Sequence, residues 1–393
     1  MSTPVPVLRV PTWVSALSLL LGAAALAVMF WGFHLAPERA YHAYLAAYAF
    51  ASSAAIGCIA FVCIAHAANT TWPVAVRRLP EAVAPALPVL ALLFVPVLLG
   101  VPALYPWARP AAYPERVRHL LEHRQAFMNL PFFAVRAGVY LAIWSVIALV
   151  LRQLSLAMEH GADAQHSARR LRRLSYVALP VLALTSAASA FEWLMSLSPE
   201  FSSTMFGANW IAVCLFGGVA STILLTGLIQ RSRTPLTAPG PSHYSALGRL
   251  LLAFLVFLGY TEFFQYLLGW IGNRPSEAEW FLERSRGTYY ASVMFLIFGH
   301  FTLPFVFLLS YTWKRKIKPL TWVAAFCLFS QYIHVHWLIT PAAHSRAYSI
   351  FDLIALVAVL GLCSSVCLWA QRGKALAASA DPRYAETLSY QSR

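Results

Sequence analysis

Apolar runs of about twenty residues or more recur ten times along this chain, at roughly 12–34, 41–66, 83–105, 129–152, 175–197, 209–230, 249–271, 289–313, 319–340 and 348–371. Each is long enough to cross about 30 Å of hydrocarbon at about 1.5 Å per helical residue. Polar residues collect between the runs. The pattern predicts an all-α, polytopic integral membrane protein, a single transmembrane domain of about ten helices followed by a short polar tail over 373–393. Pro11 and Pro319 fall at first-turn positions and Pro341 follows a span, whereas Pro88, Pro96, Pro180 and Pro304 lie inside spans and predict kinks. The connections 106–128 and 153–174 read as short surface helices or loops. Residues 235–242 read as a flexible linker between the first six spans and the last four. The tail is expected either to be disordered or to dock onto a partner.

Composition sharpens this picture. The 393 residues are 60% hydrophobic and only 11% charged, a ratio that excludes an ordinary soluble domain. A net charge of +14 would suggest nucleic acid, but the basic residues sit in short clusters between apolar runs. With a cytoplasmic N-terminus, nineteen Lys and Arg residues fall inside and nine outside. The positive-inside bias therefore places both termini in the cytoplasm and the hinge 272–288 outside, with the basic clusters against anionic lipid heads. Pro11–His34 reads as a retained helix rather than a cleaved signal peptide. Cys58, Cys63, Cys214, Cys327, Cys363 and Cys367 are scattered through apolar runs without a CxxC or CxxCH, so no iron–sulfur, zinc or c-haem site is expected in this chain. Two b-haems would need paired histidines near both faces, and His66 has no convincing partner near the inner one.

The candidate chemistry is what interrupts the apolar runs. Glu262 and Gln265 lie within the seventh span and His300 near the middle of the eighth. Arg136, Glu192, His334, His336 and Asp352 lie in the outer parts of the fourth, fifth, ninth and tenth spans. Ionisable groups at such depth are costly and usually face a bundle interior, where opposite charges pair. Glu192, His336 and Asp352 are close enough to an interface to reach water instead, and His66 and Glu81 read as structural. Glu262 and His300 cannot reach the surface. They sit at similar depths on adjacent antiparallel spans, so contact between them is expected. Carboxylates and imidazoles in series are the groups that relay protons through membranes. Phe257, Tyr260, Phe263 and Phe264 read as packing, or as the wall of a slot for a quinone ring.

Several stretches carry a family resemblance. They are Trp72–Glu81 (WPVAVRRLPE), Asn129–Arg136 (NLPFFAVR), Phe191–Leu197 (FEWLMSL) with Ser203–Gly207 (STMFG), Gln265–Pro275 (QYLLGWIGNRP) with Glu279-Trp280, and Phe298–Phe301 (FGHF) with Pro304-Phe305. Together they resemble the NrfD-like, polysulfide-reductase-type membrane subunits, and among these the ActF-type subunit of alternative complex III. The resemblance implies two four-helix bundles, at spans two to five and six to nine, flanked by the first and tenth spans. It also implies a subunit of a respiratory quinol:cytochrome c oxidoreductase in a bacterial inner membrane. Its partners would be a sister quinol-binding subunit, an iron–sulfur subunit and multihaem cytochromes c. The chain itself would hold no covalent cofactor and would contribute a proton route or a quinone pocket. Arg136, Glu192, Gln265 and His300 occupy its motif positions, with Glu192 standing where the pattern usually has Asp. Two other readings stay open: an NrfD-like quinone-linked anchor of a polysulfide or other chalcogen oxidoreductase, and a stand-alone secondary transporter or channel.

Overall fold

A computed structural model describes residues 11–159, 163–232, 236, 238–343 and 348–392. Among these, ten helical segments are long and apolar enough to cross a membrane. They are α1 (Thr12–Leu35), α2 (Pro37–Ala67), α3 (Arg78–Leu99), α4 (Leu130–Glu159), α5 (Ala164–Trp193), α6 (Met205–Gln230), α7 (Pro241–Gly272), α8 (Gly287–Leu309), α9 (Ile317–Ile339) and α10 (Ile350–Ala370). All ten expected spans are present, and the molecule is an all-α polytopic membrane protein. Arg9, Arg233, Arg346 and Arg393, counted in the charge argument, lie outside the described residues, as do parts of the 153–174 and 235–242 connections.

Helices α2 to α5 pack as one four-helix group and α6 to α9 as a second. The two meet along α2 and α6, where Gly57 and Gly218 let the backbones touch. A Cβ on Gly57 would stand 1.7 Å from the Cys214 carbonyl oxygen, and one on Gly218 would stand 2.0 Å from the Gly57 carbonyl carbon. Glycine at such a crossing is what close helix approach in lipid requires. Helix α10 lies against α2 and α3, and α1 packs outside it through Gly22 and Gly361.

Two local outcomes differ from the sequence pattern. The 153–174 connection is not mainly loop: α4 continues to Glu159 and α5 already begins at Ala164. Arg, Gln, Leu, Met and Ala are strong helix formers, so helices continue past the hydrocarbon where apolarity is no longer needed. Asp163 caps α5, accepting from the amides of Gln165 (2.9 Å) and His166 (3.1 Å). The internal prolines act unequally. α5 runs unbroken through Pro180, whereas α3 is interrupted at Phe94, two residues before Pro96, and the Tyr44 hydroxyl donates to the Leu93 carbonyl beside the break at 2.7 Å.

Residues 371–392 fold back beneath the helices, which corrects the expectation of a disordered tail. Leu376 and Ala377 pack against Leu79 and Leu236, and the Thr387 hydroxyl donates to the Trp72 carbonyl at 3.3 Å. Asp381 pairs with Arg77 at 2.5 Å and Arg383 at 3.3 Å. Arg77 and Arg78 both contact Glu81, at 3.5 and 3.3 Å, and Arg78 reaches Glu159 at 3.1 Å. Ser155 donates to Glu81 at 2.7 Å. Arg77 and Arg78 are 1% and 2% exposed, so they do not meet lipid headgroups as expected. Acidic partners from α4 and the tail provide the counter-charge that lets them be buried.

Burial alone would raise the Asp381 carboxyl, but Arg77 and Arg383 hold it below its ordinary value. A depressed carboxylate contributes stability that is complete above its unfolded pKa of about 3.9 and is lost as pH falls through the folded value. Asp381→Asn should therefore lower the melting temperature at pH 7, by the equivalent of about 3–5 kcal/mol for a broken buried pair. The variant should also show a smaller loss than the native chain on acidification below about pH 4, read by thermal melting in detergent. At the α2–α6 crossing, Gly57→Leu should abolish the monodisperse gel-filtration peak. Gly138→Ala, whose Cβ meets nothing within 4 Å, should leave it intact.

Candidate functional site

The eight singled-out residues separate into three groups and one outlier. The group at mid-span belongs to the second bundle. Helix α7 supplies Glu262, α8 supplies His300 and α9 supplies His334; the donor atoms of the three lie within 4.8 Å of one another. Pro304 explains how α8 presents His300. Lacking an N–H, it cannot bond the His300 carbonyl four residues back, and the preceding segment Leu296–Thr302 widens into a π-turn. The Thr302 hydroxyl takes up the Ile297 carbonyl at 2.8 Å. Such widened turns displace a side chain from the regular helical stripe, and here the displaced group is His300.

Glu262 Oε1 and His334 Nε2 stand 2.7 Å apart, in ion-pair contact though off the angle of a hydrogen bond. The two imidazoles lie nearly parallel, with centroids 5.5 Å apart, and Phe216 meets His300 edge-on. His300 Nδ1 contacts Ser330 Oγ at 2.7 Å, while Ser330 donates its one proton to the Cys327 carbonyl at 3.0 Å. With Ser330 so turned, His300 donates through Nδ1 and carries a lone pair on Nε2; with the hydroxyl turned to His300 the roles reverse. That Nε2 and His334 Nδ1 are buried without a hydrogen-bond partner among the described residues. The Asn209 amide lies beside the Glu262 carboxylate and donates to Thr261 Oγ1 at 3.2 Å. Both histidines are sealed, at 2% and 0% exposure, whereas one third of the Glu262 side chain opens at the bundle surface.

The second group sits near the interface on the hairpin side. Asp352, in the first turn of α10, pairs with Arg39 in the first turn of α2 and lies 3.2 Å from His336 Nε2. It also accepts the Ser349 amide at 2.7 Å, closing the cap of α10. His336 stacks on Tyr348 and contacts the Thr340 hydroxyl at 3.2 Å. The third group belongs to the first bundle. Glu192 accepts from Arg136 Nε and from the Tyr140 hydroxyl, both at 2.8 Å, and the Arg136 guanidinium sits in the corner between the perpendicular rings of Phe127 and Phe132. Glu192, His336 and Asp352 are all buried rather than reaching water. Gln265 stands apart, accepting from Ser203 at 3.4 Å.

Contact between Glu262 and His300 is thus indirect in part: His334 is the nearer partner of the carboxylate. Arg39 and Arg284, read only as surface charge, are both buried. Arg284 stacks over Trp280 at 3.8 Å and donates to the Leu338 carbonyl at 3.2 Å, pinning the helix Pro275–Ser285 to the end of α9. Ser330, Asn209 and Gln331 were also missed. Ser330 and Gln331 lie four and three residues before His334, a usable signal for a polar stripe on α9. Gln331 is fully buried, donates to Ser53 Oγ (3.1 Å) and the Val213 carbonyl (3.2 Å), and fills the space over Gly217 between the two bundles.

No protein-family model matches the chain, and no curated protein is significantly similar to it.

Removing one partner of a buried pair strands the other charge, whereas removing both does not. Arg39→Met should destabilise by about 3–5 kcal/mol, and the double variant Arg39→Met/Asp352→Leu should recover more than half of that loss in a melting experiment. Additive losses would show that the pair is not coupled.

Proposed function

We propose that this chain is an integral membrane subunit of a respiratory quinol:cytochrome c oxidoreductase of the NrfD-like type, carrying protons while partner subunits carry the redox centres. The observation that bears most weight is the series Glu262, His334, His300 and Ser330, buried across three helices at mid-span. Each member can hold or pass a proton, and the neighbours lie within or near transfer distance. Glu262 is the member whose side chain reaches the bundle surface, so it is the residue that exchanges protons with water, with a quinol hydroxyl or with a covering subunit. His334 takes the proton from Glu262 Oε1, and rotation of Ser330 resets the donor on His300. Beyond it, Gln331 and Ser53 continue the polar line to the α2–α6 seam.

The motif stretches support the same reading. Arg136, Glu192, Gln265 and His300 all occupy motif positions, and all four sit in buried or part-buried polar contacts. In this reading the chain lies in a bacterial inner membrane with its termini and the 371–392 segment in the cytoplasm. An iron–sulfur subunit and multihaem cytochromes c receive the electrons, and a sister subunit holds quinol. The transporter alternative gains little. Its signature is helix breaks at equivalent places in two halves. The breaks here fall in α3 and α8, which occupy the second place in the first bundle and the third place in the second.

Glu262→Gln and His300→Gln should lower quinol-dependent turnover, or the protons moved per electron, by about a hundredfold or more, the usual scale for removing an acid–base group. Both variants should copurify with the same partners as the native chain. Native turnover and coupling in both would end the proposal, as would a native preparation from mild detergent that contains no cytochrome or iron–sulfur subunit.

A further inference from the structure

The geometry points to a second use of the mid-span cluster: we propose that Glu262, His300 and His334 bind a divalent first-row transition-metal ion, with zinc the ion their donors suit. Two imidazoles and one carboxylate with a fourth position open is a donor set that borderline ions favour over magnesium or calcium, which seek oxygen. Three observations carry the inference. All three donor atoms already fall within 4.8 Å of one another, and closing on an ion at about 2.0–2.2 Å requires donors roughly 3.3 Å apart, so side-chain adjustment alone suffices. The nitrogens left over are unusual, because His300 Nε2 is buried with no hydrogen-bond partner among the described residues. Finally, Ser330 holds His300 Nδ1 and Asn209 attends the Glu262 carboxylate, the kind of outer contact that fixes a ligand's orientation.

Charge supports a cation. The cluster's one acidic donor is a carboxylate, and no Lys or Arg makes an ion pair with Glu262 among the described residues. The Glu262–His334 contact at 2.7 Å is shorter than the spacing of two ligands on one ion and opens slightly on binding. Access runs through the exposed third of Glu262, since both rings are sealed. The ion would occupy the same lone pairs that a proton uses, and its binding is measured without reference to turnover.

The full-length chain, purified in detergent with whatever partners accompany it, would be stripped with a chelator. It would then be titrated with zinc against a chromophoric competitor and with cobalt(II) as a spectroscopic probe. The expected result is one zinc per chain and visible cobalt absorption from nitrogen and oxygen donors. Zinc affinity should fall at least a hundredfold in His300→Ala and His334→Ala and about ten- to a hundredfold in Ser330→Ala, which keeps every ligand. His336→Ala, altered in a different group on the same helix, should bind as the native chain does. Undiminished binding in the His300→Ala/His334→Ala double variant would mean an adventitious ion only and overturn the proposal. Equal loss in His336→Ala, or no stoichiometric zinc on the native chain, would overturn it too. Melting curves of the metal-free variants identify any that fail to fold, and Ser330→Ala then carries the test alone.

Discussion

A charge held in surroundings of low dielectric must find an opposite charge or a full set of hydrogen bonds, and this condition shapes every polar feature of the molecule. The spans contain few ionisable groups, and those that are buried have been drawn together across helices. Arg136 meets Glu192, Arg39 meets Asp352, and Glu262 meets His334. Each contact ties two different spans, so the polar groups fix which faces of otherwise featureless apolar helices turn toward one another. Hydrophobic burial cannot do this in lipid, where the tails are as apolar as the side chains.

Much of the fold was legible because helix length against membrane thickness is a coarse, robust signal. All ten spans were readable within a few residues, apart from polar extensions such as 153–159 and 164–174, where helix persists after apolarity ends. The site was legible only as a set of residues. Depth along a span can be counted, but rotation about the helix axis cannot, so Glu262 and His300 could be placed at one level while His334 as the closer partner could not. The π-turn at His300 shifts the helical phase locally and defeats simple wheel counting. Arg39, Arg77, Arg78 and Arg284 read as surface charge in the sequence because acidic or carbonyl partners of each lie far away along it.

The arrangement divides the polar interior unequally between the two bundles. In the first, Arg136 and Glu192 form a close pair in which the carboxylate is also hydrogen-bonded by Tyr140 and the guanidinium is shielded by aromatic rings. Such a pair matches a cation directly to the carboxylate, although Arg136 Nη2 and Glu192 Oε2 keep no hydrogen-bond partner among the described residues. In the second, the Glu262 side chain is partly exposed with no Lys or Arg beside it, and His300 Nε2 and His334 Nδ1 lack partners among the described residues. Incomplete satisfaction leaves room for a mobile proton or an ion, and it is this bundle that carries the proposed chemistry. Gln331 lies between the two, where Gly217 makes space for its amide.

The pairing of Arg77 with Asp381 also has a temporal side. Asp381 is translated about three hundred residues after Arg77, which at about 5–20 residues per second is a delay of roughly 15–60 s. Through that interval the two arginines of the WPVAVRR stretch have only Glu81 and then Glu159 for company, and stay hydrated at the membrane edge where their charge helps set orientation. Only when the last span has been threaded does the closing segment arrive to seal them. A chain halted before that moment keeps its polar underside open to water, so the segment acts as a latch that records completed insertion.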